Sequence, residues 1–190
     1  MLVGTDYGIY ALKDTTFTLL SYPNAPIQKS SVLSITEYEG IIYFTIHNDK
    51  ENGGFFKLEI NDNDISKSAA TKIMGGQGFG STQVDGKITF CIVNKIYNYS
   101  PQSQTTVEVL QTDEQFTAWA IGKLSSNVVG LGGFGDNRFQ SGLKFLDVSN
   151  NSITQNHPDF GIASVNQIFY DQELNCPWIC STEGIYCLYQ

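Results

Sequence analysis

Two histidines, four cysteines, two glycine clusters and one acidic run are the residues whose types and spacing could do chemistry in this 190-residue chain. A nucleophile–His–acid arrangement needs an imidazole held beside a Ser or Cys. His47 opens the polar run Asn48-Asp49-Lys50-Glu51-Asn52, and His157 precedes Pro158, so both read as solvated loop residues. His-Glu-x-x-His, Gly-x-Ser-x-Gly and the phosphate loop are all missing. No catalytic residue is assigned, and the chain is expected not to be an enzyme. Cys91, Cys176, Cys180 and Cys187 contain no C-x-x-C pair and lie far from either His in sequence. They therefore offer no zinc site and read as four buried thiols. The clusters Gly75-Gly76-Gln77-Gly78-Phe79-Gly80 and Gly130-Leu131-Gly132-Gly133-Phe134-Gly135 open onto no helix whose amides could hold a phosphate, so they read as loops and bulges. Asn61-Asp62-Asn63-Asp64 has Lys67 where a calcium loop needs its glycine, and reads as a turn. No cofactor and no metal are expected.

The elements that must carry these residues are strands. Aromatics make up 13% of the chain, with ten Tyr, twelve Phe and eighteen Gly, a balance suited to sheets and tight turns. No segment longer than about ten residues keeps a helical period of 3.6. Eleven Lys and Arg against nineteen Asp and Glu leave a net charge of −8. Without a cationic stripe the chain can neutralise neither nucleic-acid phosphates nor an anionic membrane surface. Nor does any segment approach the ~18 consecutive apolar residues of a membrane span. Partners are expected to be proteins or small ligands. The first residues, Met1-Leu2-Val3-Gly4-Thr5-Asp6-Tyr7, have neither the basic nor the apolar stretch of a secretion signal, which points to a cytoplasmic address.

One short pattern recurs. It reads Gly8-Ile9-Tyr10-Ala11-Leu12, Gly54-Phe55-Phe56-Lys57-Leu58, Lys95-Ile96-Tyr97-Asn98-Tyr99, Gly142-Leu143-Lys144-Phe145-Leu146 and Gly184-Ile185-Tyr186-Cys187-Leu188. The second residue of each copy, at 9, 55, 96, 143 and 185, returns every 40 to 50 residues or so, the period of a four-stranded β-propeller blade. Before each copy runs an apolar strand such as Ile41-Ile42-Tyr43-Phe44-Thr45-Ile46, and before that, where the chain allows, another such as Val32-Leu33-Ser34-Ile35-Thr36. Tyr38-Glu39-Gly40 and Asp85-Gly86-Lys87 supply hairpin turns between them. A more polar strand follows, such as Thr106-Val107-Glu108-Val109-Leu110. The fold class is thus all-β: a β-propeller of about five four-stranded blades in one domain, with repeats near 1–27, 28–74, 75–112, 113–160 and 161–190. A β-sandwich or barrel is the competing fold, and the even period tells against it.

Pro177-Trp178-Ile179-Cys180-Ser181-Thr182-Glu183-Gly184-Ile185-Tyr186 resembles the W-I-x-T-x-x-G-I/L-x repeat of two-component-regulator propellers, and Leu2-Val3-Gly4-Thr5-Asp6-Tyr7-Gly8-Ile9-Tyr10 resembles it too. The three middle repeats keep the strand pattern without the full motif. Gly-His and Trp-Asp marks are absent, so kinship to WD repeats is one of architecture. The resemblance implies the fold and a binding role, and transfers no functional residue.

With blade strands lettered a to d outward from the axis, the first repeat starts at its b strand and the last stops at its c strand. That makes eighteen strands where five full blades take twenty. The ring is expected either to close irregularly or to stay incomplete, its edges covered by another chain or a symmetry mate that supplies the missing strands. In this architecture the b–c and d–a loops share one face. The b–c loops near His47–Gly54 and Gly132–Gly142 are long, and that face carries His47, Met74, Phe79, Phe134, Arg138 and Phe139. Exposed aromatics and Arg suit protein docking. The leading expectation is a non-enzymatic, WD-like scaffold in a larger assembly. A propeller that senses a sugar or metabolite comes second, and a propeller-fold hydrolase third.

Overall fold

The computed structural model describes residues 1–20, 30–48, 51–61, 68–112, 116–133, 142–156 and 164–188. Those residues form no helix and eighteen strands in five antiparallel sheets, arranged as the blades of a β-propeller, with no strand ladder joining one sheet to the next. The first sheet is β1 (Leu2–Thr5), β2 (Gly8–Lys13) and β3 (Thr16–Leu19). The second is β4 (Ser31–Tyr38), β5 (Ile41–His47), β6 (Gly54–Glu59) and β7 (Ala69–Gly75). The third is β8 (Gly78–Val84), β9 (Lys87–Ile92), β10 (Lys95–Ser100) and β11 (Thr105–Gln111). The fourth is β12 (Ala118–Lys123), β13 (Val128–Gly133), β14 (Gly142–Asp147) and β15 (Ser152–Asn156), and the fifth is β16 (Val165–Asp171), β17 (Cys176–Ser181) and β18 (Ile185–Cys187). Each sheet runs in chain order, and the first and last have three strands each, as the repeat pattern predicts. By their contacts the residues divide into two compact units, Met1–Phe79 and Gly80–Gln190.

The recurring glycine has a backbone cause. It opens or immediately precedes the c strand of its repeat, and there φ is +118° at Gly8, +148° at Gly54, +97° at Gly142 and +152° at Gly184. A Cβ is strained in that region, so the position selects glycine. In the third repeat Lys95 stands at this place, and the positive φ moves to Val93, at +56°, inside the preceding turn. The hairpin turns expected at Glu39-Gly40 and Asp85-Gly86 have φ of +51° and +78°, and +48° and +68°. Two consecutive positive values match the right-handed twist of the flanking strands.

In the first unit, Ile9 and Ala11 of the first sheet pack against Val32, Phe44, Ile46, Phe56 and Leu58 of the second, in a core with Leu20 and Ala70. We call the face bearing Ile9 the forward face of a sheet and the opposite one its rear face. In the second unit, Leu143 and Ala120 on the forward side of the fourth sheet meet Val165, Ile168 and Ile179 on the rear of the fifth. The second glycine cluster serves this interface, which corrects its expected place in a loop. Gly130 and Gly132 lie within β13, and a Cβ on either would sit about 2.8 Å from Ile168 Cδ1 or 2.6 Å from Val165 Cβ. Gly122 on β12 likewise leaves room for Ile168, whose carbonyl oxygen would be 2.6 Å from an added Cβ. Gly78 and Gly80 of the first cluster are also strand residues, in β8.

The four-thiol expectation fails as well. Cys176 and Cys187 form a disulfide across β17 and β18, with Cα atoms 6.7 Å apart, while Cys91 and Cys180 are free. The sequence shows their spacing but not that antiparallel pairing of Trp178 with Cys187 brings Cys176 into reach.

Candidate functional site

Antiparallel order puts the β1–β2 turn, the β5–β6 turn and the start of β4 at one end of the first two sheets. Thr5 shapes the β1–β2 turn: its hydroxyl donates to the Gly8 carbonyl at 3.0 Å and accepts from the Tyr7 amide at 3.1 Å. That turn presents the Tyr7 ring to solvent, 68% exposed. The Ser31 hydroxyl donates to Asp6 Oδ1 at 2.7 Å, and Asn48 Nδ2 donates to Ser30 Oγ at 3.1 Å. Ser31 also faces His47 across the β4–β5 ladder. Asp6, Ser31, His47 and Asn48 therefore make a polar rim flanked by an exposed aromatic ring, with buried Ser30 holding Asn48 from beneath. A carboxylate, a hydroxyl and an amide offer both donors and acceptors, and a tyrosine face can stack on an apolar ring face.

Of the six residues the sequence places on this face, three are described. His47 ends β5 half-buried, its ring 4.7 Å from that of Phe79 and tilted by 60°. It is a packed strand residue, not a solvated loop residue. Met74 is half-buried in β7, paired with Phe55. Phe79 is buried, and its carbonyl accepts from the Thr45 hydroxyl and, at 3.4 Å, from Ser34 Oγ. Phe134, Arg138 and Phe139 lie outside the described residues, as do His157 and Asp62–Asp64. Tyr7 and Asp6 escaped sequence reasoning because their short turn looks inert beside long loops; Ser31, at a strand start, and Asn48, in the long loop after His47, are small polar residues without the aromatic or Arg signal of a docking surface. Their signal was positional, since every b–c turn tip shares an end with the following a strand.

In the second unit the corresponding turn, Val93-Asn94, holds a β-branched residue at positive φ, an uncommon and strained conformation. The Thr112 amide and hydroxyl both reach the Asn94 carbonyl, at 2.9 and 2.8 Å, and clamp that turn. Beneath it the Cys91 thiol donates to the Val93 carbonyl at 3.3 Å, and burial pushes its pKa up to about 12, partly offset by a backbone hydrogen bond at Ala118. A group so poor in thiolate is not a nucleophile. Iodoacetamide is expected to label half-buried Cys180 in the native protein and spare Cys91, roughly a thousandfold less thiolate than at its ordinary value. Mass spectrometry of labelled peptides checks this, and prompt native labelling of Cys91 would refute it. Among the described residues no group of three or more His, Cys, Asp or Glu side chains could share a metal ion.

No protein-family model matches the chain, and no curated protein matches it. Solved structures do. The extracellular domain of the putative hybrid two-component system BT4673 from B. thetaiotaomicron is 16% identical with a TM-score of 0.72, covering 100% of this chain and 26% of that one. The extracellular domain of the putative hybrid two-component system BT3049 from B. thetaiotaomicron is 13% identical with a TM-score of 0.62, covering 99% and 27%. PorZ, a surface component of the type-IX secretion system of Porphyromonas gingivalis, is 14% identical with a TM-score of 0.56, covering 98% and 23%. At such identities the likeness concerns the fold, and the chain spans about a quarter of each matched structure's length. These findings overturn the cytoplasmic expectation. Reducing compartments rarely keep a structural disulfide such as Cys176–Cys187, and two of these similar structures are extracellular domains.

Proposed function

We propose that the chain is a non-catalytic, ligand-recognising part of an extracellular β-propeller region in a two-component-type signalling protein. The observation that carries this reading is the match of the whole chain to a quarter of such an extracellular domain. The disulfide supports an oxidising location. The rim of Tyr7, Asp6, Ser31 and Asn48 is the recognition surface, and its chemistry suits a polyhydroxylated ligand of the saccharide class. Hydroxyls of such a ligand pair with the carboxylate, amide and serine groups, while its C–H face stacks on Tyr7. The scaffolding role expected from sequence rests on Phe134, Arg138, Phe139, His47, Met74 and Phe79, the first three of which lie outside the described residues.

Thermal-shift titration against a panel of neutral and acidic oligosaccharides tests the reading. At least one class should raise the melting temperature saturably. Tyr7→Ala and Asp6→Asn should each weaken that ligand about tenfold or more while leaving the ligand-free melting temperature within about 1 °C, as expected for exposed positions. Absence of any saturable shift across the panel, or full binding by both variants, overturns it.

A further inference from the structure

Three of the four cysteines lie on one hairpin of the fifth sheet, Cys176 and Cys180 on β17 and Cys187 on β18. Ile168, Ile179, Tyr186 and Leu188 belong to the apolar core shared with the fourth sheet. Strand alternation therefore puts Cys176, Trp178, Cys180 and Cys187 together on the opposite face. The ladder sets Cys187 directly across from Trp178, and Ile185 across from Cys180. Cys176 and Cys180 are thus the two diagonal neighbours of Cys187, each two residues from its partner Trp178.

One diagonal carries the bond. Cys176 and Cys187 are joined with Cα atoms 6.7 Å apart, and Cys180 is a free, half-buried thiol. Sheet twist makes the two diagonals unequal, which favours one bond over the other. The two cysteines of β17 also flank Cys187 from opposite sides along the strand. A thiolate attacks one sulfur of a disulfide and expels the other along the S–S axis. Cys180 therefore stands on the side of attack and Cys176 on the side of departure.

From this register we infer that Cys180 exchanges with the disulfide, so that Cys187 has two alternative partners on β17. The Cys180 thiolate bonds to Cys187 Sγ, the Cys176–Cys187 bond breaks, and Cys176 leaves as a thiolate. Cys180 gives its proton to solvent and Cys176 takes one up, so the step consumes no oxidant or reductant. It moves the covalent clamp from the start of β17, beside Asn175, to the end of that strand, beside Ser181. The free thiol then becomes Cys176, a position only 2% exposed. Exchange among three side chains of a single hairpin requires neither an open sheet face nor a second chain. It uses no residue of the rim and is independent of ligand recognition there.

Disulfide mapping is the test, because chymotryptic cleavage after Trp178 and Tyr186 places the three cysteines on separate peptides. The oxidised chain is incubated at mildly alkaline pH without added thiol, quenched with acid, and denatured with N-ethylmaleimide. Cys176–Cys187 should link most molecules and Cys180–Cys187 about 1–10% of them, the range of a minor conformer, with the maleimide on Cys180 or Cys176 respectively. Cys176→Ser, air-oxidised in the same way, removes the favoured partner. It should raise the Cys180–Cys187 link about tenfold or more, leaving Cys91 as the free thiol. Wild type with the maleimide confined to Cys91 and Cys180 overturns the inference, and does so even where the variant fails to fold. A folded Cys176→Ser chain that keeps Cys180 and Cys187 both reduced overturns it as well.

Discussion

Replacing Phe56 with alanine is expected to cost about 3–5 kcal/mol, the range for deleting a fully buried aromatic ring. The ring is inaccessible to solvent, lies 5.2 Å from Phe44 with planes 12° apart, and has the Lys72 ammonium 5.3 Å from its centroid. The lost transfer energy, the cavity and the lost aromatic and cation contacts all act in the same direction. Phe56→Leu fills part of the void and should cost under about half as much. Val107→Ala, at a position 56% exposed on the solvated strand β11, should stay within about 0.5 kcal/mol. Both tryptophans, Trp119 and Trp178, fall in the other unit, so amide hydrogen exchange across β4 to β7 is the proper readout. A Phe56→Ala loss below about 1 kcal/mol would mean that these two sheets do not share the core described.

Removing the disulfide should have the next largest effect. Cys176 and Cys187 are 11 residues apart, and closing a loop of that size stabilises the folded chain by about 2–3 kcal/mol in the chain-entropy account. The Cys176→Ser/Cys187→Ser double variant should melt roughly 5–10 °C lower for a chain of this size. Trp178 lies on β17 opposite Cys187, so its fluorescence should report the change in the fifth sheet directly. Thiol titration of the denatured, unreduced wild type should count two free cysteines. A count of four would remove the bond and one of the two supports for an extracellular location.

Much of the strand plan was legible because its causes are local. The glycine before Ile9, Phe55, Leu143 and Ile185 is forced by a positive φ at the start of a strand, a constraint that one residue feels without tertiary help. Glu39-Gly40 and Asp85-Gly86 announce their turns for the same reason. Three-stranded first and last sheets follow from counting apolar segments, and the count held. The site was legible in part. Topology directed attention to His47 and the b–c turns, but it did not show that Phe79 is buried and His47 packed against it.

What the amino-acid order determined by itself was the all-β class, the five-fold repeat and the turn positions, because backbone dihedrals and the alternation of apolar residues are short-range properties. Tertiary structure decided three further matters. Gly130 and Gly132 became receiving surfaces for Val165 and Ile168, Cys176 met Cys187, and Tyr7, Asp6, Ser31 and Asn48 gathered on one rim. Each depends on residues brought together across strands or between sheets, and strand register and sheet packing, which set those meetings, arise only when the chain is folded.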